Sequence, residues 1–130
     1  MELDAAMDEA LARRPEASAL ACVDAASGMV LASAARSEDA RLALSSAAAV
    51  STVLSASPRI EEPGDCTEDA PVDRLLIVTR RWVQVHERVP GRPALFVVGV
   101  ADAGSNIGLL ASCVRDVSSL LGASLLEATG

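Results

Sequence analysis

The stretch ALFVVGVA, residues 94–101, is apolar from end to end. A run of this length with no polar alternation reads as a β-strand buried on both faces. Such a strand needs a layer on each side, so it commits the chain to a sheet with helices above and below. At eight residues it is also the longest apolar run in the chain, far too short to span a bilayer. LLIV, residues 75–78, has the same character and is expected to be a strand covered on both faces. Beyond it the chain alternates: Trp82, Gln84, His86 and Arg88 fall on one side, and Val83, Val85, Glu87 and Val89 mostly on the other. VPGRP then makes a turn into the 94–101 strand.

The remaining segments supply the other layers. ELDAAMDEALARR places Leu3, Met7, Ala10 and Leu11 at helical spacing, and Pro15 closes it, so a helix is expected over about residues 2–13. ASALACVDAASGMVLASA gives two short apolar runs around Asp24, Ser27 and Gly28, the residues of a hairpin turn. A long helix is expected from Ser37 as cap, with Glu38 and Asp39 at its positive end, to the stop at Pro58. Its middle, SSAAA at 45–49, is smooth. That surface suits either a plain alanine-rich helix or one packed on its own copy, and the residues leave both open. RIEEPGDCTEDAPVD, residues 59–73, has six acids among turn formers and is expected to be a flexible, solvated acidic loop. The last helix is expected near Ser105, with Ile107, Leu110, Ala111, Val114, Val117 and Leu121 on its core stripe and Gly122 as its stop. The order is αββαβββα, an α/β (α+β) class, in one domain of 130 residues.

The composition removes several kinds of chemistry. The net charge is −7, all eleven basic residues are arginine, and there is no lysine for a Walker motif or a Schiff base. An acidic surface with no tyrosine, one Phe and one Trp argues against nucleic acid. Cys22, Cys66 and Cys113 are spaced as no zinc site, so no metal and no cofactor are expected. The N-terminal MELDAAMDEALARR lacks the order of a signal peptide, which points to a cytoplasmic protein with no membrane partner. Gly104 and Gly108, between the last strand and the last helix, lack a following Lys-Ser or Lys-Thr, so they read as a structural turn and not a phosphate loop. Ser105 or Asp102 is expected to cap the helix there, with Gly108 letting it approach the sheet. His86, beside Trp82 and Gln84, is expected at a surface or interface. No nucleophile motif and no paired acids are present, so no catalytic residues are assigned and the chain is read as not an enzyme.

Three stretches carry a family likeness: ALACVDAASGMVLAS, DRLLIVTRRWVQVHERV and ALFVVGVADAGSNIGLLASCVRDV. With the element order, they make the chain resemble a roadblock/LC7 (dynein light chain-like) domain of bacterial or archaeal type, a family with no catalytic signature. The resemblance implies a roadblock/profilin-like five-stranded antiparallel sheet, with the first and last helices on one face and the middle helix on the other. It implies a homodimer through the middle helix and the strand after it, with Leu42, Ser45, Ala48, Ala49, Thr52, Val53, Leu75 and Ile77 as the expected contacts. It further implies a regulator or scaffold for a small Ras-like GTPase. The 59–73 loop and the TRRW turn depart from the family pattern. The alternative is a small-ligand sensing or signalling adaptor domain of profilin/PAS-like architecture, which would need a cavity with convergent polar groups.

Overall fold

The computed structural model describes residues 3–56 and 74–129, with side chains over 3–50 and 74–124. The expected acidic loop at 59–73 and Cys66 therefore lie outside the described residues. The elements run α1 (Leu3–Ala12), β1 (Ala19–Asp24), β2 (Met29–Ala35), α2 (Glu38–Ala56), β3 (Arg74–Val78), β4 (Trp82–Val89), β5 (Arg92–Asp102) and α3 (Ile107–Thr129). The five strands form one antiparallel sheet in the order β2-β1-β5-β4-β3. Both the element order and the sheet are those expected.

Side-chain alternation sends each strand's residues into two separate cores. Leu20, Cys22, Val83, Val85, Val97 and Ala101 join Met7, Leu11, Leu110, Val114 and Val117 of α1 and α3. Ala19, Ala21, Val23, Val98 and Val100 join Ala40, Ala43, Leu44, Ala47 and Ala48 of α2. The 94–101 run is thus covered on both faces as its composition demands.

Local signals set the boundaries. Ser37 Oγ accepts the Ala40 N–H at 3.1 Å, capping α2. Asp24 Oδ1 accepts the Ala26 N–H at 3.0 Å, and Gly28 takes φ 75°, closing the β1–β2 turn. Arg36, just past β2, ties the start of the chain down: its Nε donates to Ala17 O at 2.9 Å and its Nη2 to Leu11 O at 2.6 Å and Arg14 O at 3.1 Å. Carbonyls left over at the end of α1 are satisfied by a side chain that the helix does not itself carry.

Three expectations about the last helix need correction. Its cap is Asn106, whose Oδ1 accepts the Leu109 N–H at 3.2 Å, and not Ser105 or Asp102. Gly122 does not stop it, since α3 continues to Thr129; a Cβ at Gly122 would lie 3.0 Å from Pro90 O, so this glycine lets the β4–β5 turn rest on the helix. Gly108 does not bring the helix to the sheet either, being exposed with only Asn106 Oδ1 near its missing Cβ. That work falls to Gly99 in the central strand, where a Cβ would overlap Val114 Cγ2 and press on Leu20 and Leu110. α3 is long and apolar enough to cross a membrane by length and composition, but here its apolar stripe packs on the sheet.

Gly99→Ala is expected to cost about 1–3 kcal/mol, because the backbone atoms of a central strand and the Val114 branch have little room to shift. Gly104→Ala, which adds its methyl to open space, should stay within about 0.5 kcal/mol of the parent. Urea unfolding of the two variants checks this; equal midpoints would show that the sheet–helix contact is slack.

Candidate protein-interaction face

The smooth surface of α2 splits in two. Ala40, Ala43, Leu44, Ala47 and Ala48 face the sheet, where the alanines of β1 let the helix sit close. Leu42, Ser45, Ser46 and Ala49 face outward, and Leu42 is 59% exposed. Ser45 Oγ turns back to Arg41 O at 3.2 Å, which shortens its reach into solvent and leaves a low surface around Leu42. Of the expected contacts, Leu42, Ser45 and Ala49 therefore lie on the open side. Ala48, only 4% exposed, is a core residue of this chain. Thr52 and Val53 lie on α2, with side chains outside the described residues.

Beyond α2 the sheet ends in β3, whose one ladder among the described residues is with β4. Its register, Leu75 opposite His86 and Ile77 opposite Gln84, puts Leu75 and Ile77 on the α2 side. Leu75 packs toward Phe96 and Ala25, and Ile77 is half-buried. The strand is not covered on both faces as its apolar run suggests: it is an edge strand, and Leu76 and Val78, 45% and 68% exposed, are open on the face away from α2. They were not among the expected contacts. RLLIV has four apolar residues in a row, so its alternation cannot tell the faces apart; only the register against β4 does.

Arginine and tryptophan stand at the turn that joins β3 to β4. Thr79 and Trp82 close it, with the Thr79 N–H donating to Trp82 O at 2.8 Å and the Trp82 N–H to Thr79 Oγ1 at 3.0 Å. Arg81 then reaches over the Trp82 ring, 5.3 Å from its centre, to Asp39 at 2.6 Å in the first turn of α2. An exposed pair of this kind contributes little energy. It ties the β3–β4 turn to the first turn of α2 at one exposed point.

On the α2 side β4 carries two buried polar side chains. Gln84 is 8% exposed and its Oε1 has no hydrogen-bond partner among the described residues. His86 is fully buried, which corrects the expectation of a surface histidine. Burial pushes its pKa down from 6.5 to about 4, so the ring is neutral at pH 7. The Cys22 and Cys113 thiols are pushed up to about 11 by burial, the reverse of what a nucleophile needs. Among the described residues no three His, Cys, Asp or Glu side chains come together as a metal site would require.

Solved structures resemble this one over nearly the whole chain. A roadblock/LC7 domain from Streptomyces avermitilis superposes with a TM-score of 0.70 at 13% identity, over 97% of this chain and 99% of that one. Myxococcus xanthus MglB gives 0.69 at 15% identity, over 98% of this chain and 89% of that one. The chain has the roadblock/LC7 fold. A profilin from Acanthamoeba castellanii follows at 0.54 and 18% identity, over 91% and 94%. No protein-family model and no curated protein sequence matches the chain. Among the described residues the open large apolar side chains are Leu42 on α2, Leu76 and Val78 on β3, Met29, Val30 and Leu31 on β2, and Leu109 and Leu120 on α3.

The buried histidine makes stability depend on pH. Between pH 6.5 and about 4 the unfolded chain binds a proton at His86 that the folded chain refuses, so stability falls as pH falls through that window, by at most about 3 kcal/mol. A His86→Leu variant keeps every carboxylate of the parent and should lose correspondingly less stability from pH 7 to pH 4. Guanidinium unfolding of both proteins at the two pH values measures the difference, and parallel losses would mean that His86 does not resist protonation.

Proposed function

We propose that this chain is a non-enzymatic, cytoplasmic homodimer that regulates or scaffolds a small Ras-like GTPase. The observations that carry the reading are the exposed Leu42, Ser45 and Ala49 on α2 and the open edge of β3. An apolar edge strand left without a partner invites aggregation, and pairing with a second copy removes that hazard. Two-fold pairing of β3 with its own copy would join two five-stranded sheets and set the two α2 helices side by side. The GTPase half of the proposal comes from the likeness to roadblock/LC7 domains. A sensing role of the profilin/PAS kind would need an enclosed polar pocket. The described hollows, such as those between α1 and α3 and at the β4–β5 turn, are open at the surface.

The dimer is tested with charges placed on each side of α2. Light scattering at equal concentrations should give a two-copy mass for the parent and a one-copy mass for Leu42→Glu, with association weakened at least about tenfold by a buried unpaired charge. Ser119→Glu, on the exposed side of α3, should remain dimeric. Ala48→Glu should instead lower the melting temperature, since that position faces the sheet. A one-copy parent would overturn the homodimer.

The partner is tested by titrating a small Ras-like GTPase, loaded in turn with GDP and with a non-hydrolysable GTP analogue, while following GTP turnover. Binding that favours one nucleotide state is the expected result. Failure of both states to bind the intact dimer would refute the partner and leave the dimer standing.

A further inference from the structure

On the face of the sheet away from α2, the two helices leave β3 uncovered. α3 lies against β4 and β5, and α1 against β2 and β1. Leu76 and Val78 point to this side, opposite Val85 and Val83 of the core under α3, and both are open to water. The flank of α3 that borders them is fixed by its contacts. Arg115 stands beside Glu87, Ser118 Oγ donates to Arg88 O, and Gly122 rests on Pro90, all of them on β4 or just past it. One and two turns before Arg115 the same flank carries Ala111 and Gly108. An apolar step in the sheet thus lies beside a low helix wall.

Two copies joined at β3 turn this step into a trough, so the inference rests on the homodimer proposed above. A two-fold axis that keeps both α2 helices on one face stands perpendicular to the sheet. Residues directly opposite in an antiparallel ladder share a face. The pairing must therefore centre on a residue and never between two, and Leu76 and Val78 of both copies stay on the side away from α2. With α3 seated over β4 and β5, four strand spacings separate it from its copy, about 19 Å. Half of that, about 9.5 Å, is an ordinary distance between packed helix axes. The trough has room for one further helix and no room for two.

We propose that the dimer holds in this trough one helix of a partner protein, with an apolar stripe toward the sheet and carboxylates along its flanks. The floor takes the stripe, because Leu76 and Val78 of the two copies set four apolar side chains in one strip. A helix is the form that fits, since it satisfies its own backbone groups. An extended segment would lay unpaired N–H and C=O groups on an apolar floor, and the strand edge that could pair with them is taken by the second copy. The walls choose the charge. Arg115 is exposed on each of them. Among the described residues the carboxylate on this side of β4 is Glu87, and it already accepts two donors from Arg74. Asp116 lies on the other flank of α3, where it shares a hollow with Arg13 and Arg14. In a chain of net charge −7 this strip is locally basic, so an acidic helix is favoured over a basic one. Gly108 and Ala111 keep the walls low enough for close approach.

The probe is a synthetic peptide of leucine, alanine and glutamate, about 18 residues or roughly 27 Å of helix, with its leucines on one stripe. Labelled for fluorescence anisotropy, it is titrated with the full chain while light scattering reports the mass of the same samples. The parent should bind it saturably, one peptide to two chains. The same peptide with lysine in place of glutamate should bind at least about tenfold more weakly. Leu76→Ser and Arg115→Gln should each weaken binding roughly tenfold. Arg115 lies outside the pairing strand, so its variant decides the matter if Leu76→Ser loosens the dimer. Leu109→Ser, on the flank of α3 toward α1, should change nothing. A two-copy parent without saturable binding would overturn the trough and leave the homodimer standing. So would one peptide bound per chain, equal binding of the acidic and basic peptides, or equal binding by parent and Arg115→Gln. A one-copy parent would overturn the homodimer and the trough together.

Discussion

Everything in this fold answers to the burial of β1 and β5 on both faces. From Ala19 to Val23 and from Phe96 to Val98 every residue is sealed from water, so neither strand has a side that could face solvent. A single helix cannot cover two faces, and the chain therefore has to place α2 on one side and α1 with α3 on the other. The two coverings differ in depth. On the α2 side alanine meets alanine, Ala19 and Ala21 against Ala40, Ala43 and Ala47, and the helix rides low on the sheet. On the other side larger residues interlock, Leu20 and Val85 with Leu110 and Val114, and the gap left at Gly99 admits the Val114 branch. Packing at interior density leaves no tolerance at that spot.

Much of this was legible in the amino acids because each signal was local. Ser37 followed by two acids, Asp24 with Gly28, and the unbroken apolar run at 94–101 each specify their own structure with no help from elsewhere. What failed to read through was set by tertiary contact. Which alanines of α2 face inward depends on the helix's rotation about its axis, and that is decided by β1 and β5, not by the SSAAA run itself; hence Ala48 turned out to be core. His86 alternates with polar neighbours, so its spacing suggested a wet face, yet the layer over β4 seals it. Gly99 hides inside an apolar run, while Gly104 in the turn and Gly108 in the first turn of α3 are conspicuous, yet neither is needed for close approach to the sheet. The face of β3 that Leu76 and Val78 occupy follows from pairing with β4, information that RLLIV alone does not hold.

The reliance on arginine as the one basic side chain has structural effects at three places. Arg36 collects three carbonyls at the end of α1, a task suited to a planar group with several donors in fixed directions. Arg81 lies over an indole and still reaches a carboxylate on another element. Arg74 holds Glu87 with two donors across the β3–β4 ladder. A compact ammonium group could fill none of these posts in the same way, since each uses the flat shape and the fork together.

The two borders of the sheet are not alike. At β2 the register against β1 slips, Cys22 pairing with Ala32 but Val23 with Val30, so Leu31 bulges out of the ladder and the outer row of amides is broken. At β3 the ladder runs from Arg74 to Val78 without a slip. A sheet with two regular borders can go on adding copies and grow into a fibre. A sheet with one can take a single neighbour and then offers nothing further to extend. The displaced Leu31 makes β2 the less regular template for a further strand, which leaves β3 as the border better suited to edge-to-edge pairing.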